Sequence, residues 1–106
     1  MKTIPEALLQ EIIRRLAAGL QPKRIFLFGS HAYGTASDDS DIDLLVEVSH
    51  SSEPRHRRAS VAYGLLAGLG ASTEIIVLTS AEIERAKDVR VSLENTVLRK
   101  GRLLYG

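Results

Sequence analysis

Two acidic residues stand two apart in the run Ser40-Asp41-Ile42-Asp43-Leu44-Leu45-Val46, and ten residues separate them from the pair Gly29-Ser30. Side chains of an extended strand alternate between faces. Asp41 and Asp43 therefore share one face, with their Cα atoms about 6.6 Å apart. Ile42 and Leu44 then point the other way, into a core. Two carboxylates fixed side by side repel each other unless a cation lies between them. An all-oxygen donor set without His or Cys suits Mg²⁺ or Mn²⁺ bound together with substrate phosphates. Gly29-Ser30 ends an apolar run and has room for one helical turn behind it. Such a turn offers backbone N–H groups and a hydroxyl to a phosphate, and Gly29 lets the backbone come close to it.

A third carboxylate can be placed by topology. Ser30 lies past the C-terminal end of one predicted strand and Asp41 at the N-terminal end of the next. If both serve one site, those strands run antiparallel. Glu74 heads a third apolar run, so to join the site that strand must be parallel to the second, with a helix as the crossover. Glu74 shares a strand face with Ile76 and Leu78. It reads either as this third carboxylate or as a strand-edge surface charge. Asp38 and Asp39 read as a solvated loop. His31 is a loop residue whose position also suits a phosphate contact, Tyr33 and Tyr63 read as packing residues, and Tyr105 reads as an edge contact. Arg55, Arg57 and Arg58, with His56, cluster at a predicted helix start, where the dipole disfavours cations. They form either a solvated charge run or a surface facing an anion.

The elements that must position these residues follow from periodicity and punctuation. Leu8, Leu9, Ile12, Ile13 and Leu16 recur at helical spacing, which predicts a helix over 3–20 with Thr3 as its cap and Gly19 and Pro22 at its end. Residues 23–28 and 42–48 read as strands. A helix is expected over 55–69, with Ala62, Leu65, Leu66 and Leu69 buried. Residues 73–78 form a third strand, and Thr79 with Glu82 makes a capping box for a short helix. A last helix is expected over 89–100, striped by Val89, Leu93 and Val97, followed by an edge strand over 103–105. Alternating strands and helices predict an α/β (α+β) domain over residues 1–106, with a mixed sheet of three to four strands flanked by helices.

Composition removes several classes of function. The 106 residues carry 14 Lys and Arg against 13 Asp and Glu, a net charge of +1, which argues against a basic nucleic-acid-binding protein. There is no cysteine, which excludes disulfides, thiolate metal sites and a cysteine nucleophile. Hydrophobic residues make up 44% and charged residues 25%, as in ordinary globular domains. Glu6 and Glu11 interrupt the N-terminal apolar run, so no signal peptide is expected. No apolar run is long enough to span a membrane. The expectation is a soluble cytoplasmic domain.

Gly29-Ser30 with Asp41-x-Asp43, in the context SDIDLLV, resembles the nucleotidyltransferase fold of the DNA polymerase beta superfamily. Within it the chain is similar to the minimal nucleotidyltransferases (MNT domains), along almost its whole length to the closing RKGRLLYG. The resemblance implies that Gly29 and Ser30 bind the nucleotide, and that Asp41, Asp43 and Glu74 are catalytic and hold two Mg²⁺ ions, or Mn²⁺ in their place. The family's loop often carries Arg where this chain has His31 and Tyr33, and its third carboxylate is usually Asp rather than Glu. The implied reaction is attack of a hydroxyl on the α-phosphate of ATP or another nucleoside triphosphate, with release of pyrophosphate. A chain of this length leaves little room for an acceptor-binding domain, so the acceptor is expected to come from a partner. MNT domains are commonly paired with helical HEPN toxins and act as their antitoxins, in some cases by transferring AMP to a tyrosine. The alternative is a catalytically weak or inactive binding module that neutralises its partner by contact.

Overall fold

The computed structural model describes residues 3–106. The elements in chain order are α1 (Glu6–Leu20), β1 (Arg24–Phe28), α2 (Ser30–Tyr33), β2 (Ile42–Val48), α3 (Arg55–Leu65), β3 (Thr73–Thr79), α4 (Ser80–Ala86), α5 (Leu93–Lys100) and β4 (Arg102–Tyr105). The sheet order is β3-β2-β1-β4. β1 runs antiparallel to β2 and to β4, while β2 and β3 are parallel. The mixed sheet is the one expected, with α3 as the crossover that a parallel pair requires.

The alternation of β2 builds two cores. Ile42, Leu44 and Val46 join Ile12, Leu16, Ile25, Leu27, Ala62 and Val77 on the side covered by α1 and α3. Leu45 lies on the opposite face with Phe26, Leu78, Ile83 and Val97, under α4 and α5. Asp43 and Glu47 flank Leu45 at period two on this second face. Glu47 is 3% exposed and is compensated by Arg24, its cross-strand partner, and by the Ser80 hydroxyl, which donates to Oε2 over 2.8 Å.

Six boundaries differ from expectation. β1 begins at Arg24 rather than Lys23, and β3 runs on to Thr79. Thr3 does not cap α1; the helix begins after Pro5, with no side-chain cap. α3 ends at Leu65, four residues early. The chain continues through turns in which Leu66 still packs into the core. The last helix begins at Leu93 because Ser92 takes the cap. Its hydroxyl accepts from the Asn95 amide at 3.0 Å and lies within donor reach of the Ala86 and Val89 carbonyls. That leaves Val89 and Val91 exposed in the loop rather than on a helix stripe. β4 begins one residue early, at Arg102.

The capping box of α4 forms as expected and does more than cap. Glu82 Oε1 accepts from the Thr79 amide at 2.8 Å and from Arg58 Nη1 at 2.6 Å. Arg58 also donates to the Glu53 and Val77 carbonyls. Of the three arginines at the start of α3, this one is therefore a part-buried tie between α3, β3 and α4, not part of a solvated run. Burial pushes the Glu82 carboxyl up, but the hydrogen bonds from Arg58 and the Thr79 amide outweigh it and hold the group at about 2. Its folded pKa lies below the ordinary 4.5, so the stabilisation is fully present above about 4.5 and is lost as pH falls toward about 2. Glu82→Gln should cost on the order of 3 kcal/mol at neutral pH, or about 10 °C or more in Tm for a domain of this size. Urea melts should show the gap between variant and wild type closing as the solution is acidified.

Candidate active site

The site is assembled at the end of the sheet where β1 stops and β2 and β3 start. Phe28 pairs with Asp43 across β1–β2, and Asp43 pairs with Glu74 across β2–β3. The three lie in one row, so Asp43 and Glu74 project from the same face as direct neighbours. Gly29 follows Phe28 immediately. Its φ of 72° and ψ of −159° fall in a region that essentially only glycine enters. A Cβ on Gly29 would meet the Asp43 carboxylate. The missing side chain is what lets the loop close over Asp43 and deliver Ser30 at the start of α2.

Asp41 sits one residue before β2 and is exposed. Its Oδ1 accepts a hydrogen bond from the Ser72 hydroxyl. Ser72 was not singled out by the sequence reading. The signal was its position: Ile42 pairs with Thr73, so the residues just before the two parallel strands stand side by side. The Ser72 carbonyl also accepts from the Ile42 amide at 2.9 Å. His31 reaches back across the loop, and its Nε2–H donates to the Ser40 carbonyl at 3.3 Å. Its other ring nitrogen, Nδ1, is buried and has no partner among the described residues.

Burial raises the Asp43 carboxyl above its ordinary range, and the charges of Glu74 and Asp41 raise it further; His31 alone opposes them. Each negative charge here makes the next one costlier, a repulsion that a cation would relieve. Among the described residues, no three side chains of the His, Cys, Asp or Glu type converge closely enough to hold an ion as they stand, so Asp41 would have to leave Ser72 to join Asp43 and Glu74. The sheet register brings Asp43 and Glu74 together, while Asp41 is turned toward Ser72. The all-oxygen donors, their mutual repulsion and the glycine cradle over Asp43 fit a hard divalent cation bound with a phosphate. Asp41, Asp43 and Glu74 are the residues that would hold it.

Glu74 is exposed at the head of β3, so its substitution tests the site without disturbing the core. Glu74→Gln should slow the nucleotidyl transfer that the resemblance implies by roughly 10²–10⁴-fold, the scale of a lost general base. Nucleotide binding, followed by titration calorimetry, should change much less. A rate within a few-fold of wild type would make Glu74 a surface charge only.

A family model described as a nucleotidyltransferase domain matches residues 8–99, a span that contains Gly29, Ser30, Asp41, Asp43 and Glu74. No curated protein matches the chain. Two solved structures share its fold. A candidate nucleotidyltransferase from Sulfolobus solfataricus is 28% identical, with a TM-score of 0.61 over 77% of this chain and 73% of that one. A toxin–antitoxin structure with AMP-PNP is 25% identical, with a TM-score of 0.63 over 92% of this chain and 73% of that one. The strand order, the glycine-gated carboxylates and a family match across most of the chain agree: this chain belongs to the nucleotidyltransferase domain family, of the DNA polymerase beta type.

Proposed function

We propose that the chain is a metal-dependent nucleotidyltransferase that moves AMP from ATP onto a protein hydroxyl, a tyrosine of a helical HEPN-type toxin, and thereby acts as an antitoxin. The observation that carries this reading is the pairing of Asp43 with Glu74 beneath Gly29. It supplies adjacent carboxylates at the mouth of a loop built for close approach. The toxin–antitoxin relative with AMP-PNP supports both the adenine nucleotide and the partner.

Each residue has a distinct task in this reading. Gly29 and Ser30 hold the triphosphate, Ser30 through its hydroxyl. Asp41 and Asp43 would hold the divalent ions, which when bound would neutralise the triphosphate and favour ionisation of the attacking hydroxyl. Glu74 completes the set or accepts the hydroxyl proton. The tyrosine oxygen forms the new bond to the α-phosphorus as the bond to pyrophosphate breaks, so the products are an AMP–tyrosine ester and pyrophosphate. The surface of the docked partner fixes the line of attack.

One observation favours a second reading, neutralisation by contact without catalysis: Asp41 is engaged by Ser72 rather than drawn toward Asp43 and Glu74. A single experiment separates the two. The chain is incubated with the protein encoded beside it, ATP and Mg²⁺, and both proteins are weighed by mass spectrometry. Gain of one AMP by the neighbour, at a tyrosine, supports the transferase. Toxin neutralisation with no gain in mass on either protein supports the contact reading.

A further inference from the structure

At the opposite end of β2 from Asp43 lies a groove of about 690 Å³, between the C-terminal end of α1 and the first half of α3. We propose that this groove binds a small organic anion with an apolar body, at a site separate from the nucleotide site and independent of the function proposed above. The two ends of a seven-residue strand are about 20 Å apart, too far for one small ligand to touch both. The volume falls within the range of small-molecule sites.

The lining has two chemically different parts. Leu20, Val48, Val61 and Val77 form an apolar floor. Val61 is 54% exposed although it stands on the wall of a recess, so apolar surface remains there for a ligand to cover. His50, His56 and Arg57 form the rim. Arg57 approaches Glu53 only at 4.0 Å, with both side chains more than 60% exposed, a contact that surface side chains give up at little cost. Arg58, by contrast, is committed to Glu82 and to two backbone carbonyls, and closes the back of the groove.

This arrangement selects among ligands. An apolar body gains by covering Val61 and the part-exposed Val48 and Leu20, with the buried Val77 beneath them. An anionic head then meets a guanidinium and two imidazoles, each able to donate a hydrogen bond. A cation of the same shape would face Arg57, and a neutral molecule would leave the rim unused. Glu53 is the single acid among the lining residues, and Arg57 is free to turn from it toward a bound head group.

The test titrates the full chain with octanoate, with octylamine and octanol as matched controls, and follows backbone amides by two-dimensional NMR. Octanoate should give saturable shifts at Gly19, Leu20 and residues 48–61, with the amides of Asp41 and Asp43 unmoved. Octylamine and octanol should bind at least roughly tenfold more weakly. Replacing Arg57 and His56 together with alanine should weaken octanoate by roughly tenfold or more, the scale of a lost charge-assisted hydrogen bond. Val61→Asp should abolish the shifts. All three positions are exposed, so the variants should keep the wild-type circular dichroism spectrum. The absence of saturable binding, equal binding of octylamine or octanol, or full affinity in the Arg57 and His56 double variant would each overturn the proposal.

Discussion

Asp43→Asn is expected to abolish nucleotidyl transfer, by roughly 10³-fold or more, and at the same time to raise the melting temperature of the unliganded protein. Loss of one preorganised electrostatic partner already costs about 10²–10³-fold in other enzymes, and Asp43 is the carboxylate around which the site is arranged. The gain in stability has a separate cause. Burial, then the charges of Glu74 and Asp41, raise the folded-state pKa of Asp43 above its ordinary 3.8. The folded chain therefore holds this proton more tightly than the unfolded chain does. Stability is lost as pH rises from about 3.8 through the folded pKa, and the full penalty persists at neutral pH. An amide carries no charge and escapes it. Thermal melts should show the variant's advantage at pH 7 shrinking as the pH is lowered past the ordinary carboxylate range. A variant that melts lower than wild type at neutral pH, or transfers AMP at the wild-type rate, contradicts the assignment.

Gly29→Ala should be comparably damaging to activity, through the backbone. Alanine at φ 72° and ψ −159° costs about 1–3 kcal/mol in conformational strain. Its methyl group would also occupy the space of the Asp43 carboxylate. The Asp43 side chain would have to rotate away, or the Gly29–Ser30 loop would have to lift. Either movement separates Ser30 from the carboxylates. Transfer should fall by roughly 10²-fold or more, the scale that a misplacement of about 1 Å costs. ATP should no longer raise the melting temperature in the presence of Mg²⁺. A crystal structure of the variant should show Asp43 in a different rotamer or the loop displaced; an unmoved site with wild-type kinetics would remove Gly29 from the mechanism.

The parts of the molecule that were legible in the sequence are those governed by local rules. β2 matches its expected residues at both ends, because a mostly apolar run between a turn-rich segment and a Ser-rich loop has few other places to lie. The capping box at Thr79 and Glu82 is a contact between residues three apart, and it forms as read. The antiparallel and parallel pairings followed from requiring Ser30, Asp41 and Glu74 at one end of a sheet. What escaped depends on distances that pattern does not encode. Val89, Leu93 and Val97 have helical spacing, yet Ser92 forms hydrogen bonds that start the helix later. Arg58 looked like its exposed neighbours because Glu82 is 24 residues away along the chain. Asp41 was grouped with Asp43 by alternation alone, and only the register of β3 reveals Ser72 as its partner.

The α3 crossover also determines how this sheet meets other polypeptides. The Ile42 amide donates to the Ser72 carbonyl, so alternate β3 residues beginning with Glu74 face β2. Ile75 and Val77 then present their backbone groups outward. Tyr63 and Arg58 of α3 take them up: the Ile75 amide donates to the Tyr63 hydroxyl at 2.9 Å, and the Val77 carbonyl accepts from Arg58 at 3.2 Å. Two of the outward backbone groups on that border are thus already occupied by α3 side chains, which hinders an incoming strand. The four residues of β4 have no such cover among the described residues, and Leu103 and Tyr105 are half exposed there. The sheet is thus a ladder with one side partly occupied and the other open to a further rung. Amide exchange at Ile75 should be slow for an outermost strand, and an extended peptide that joins this sheet should favour β4.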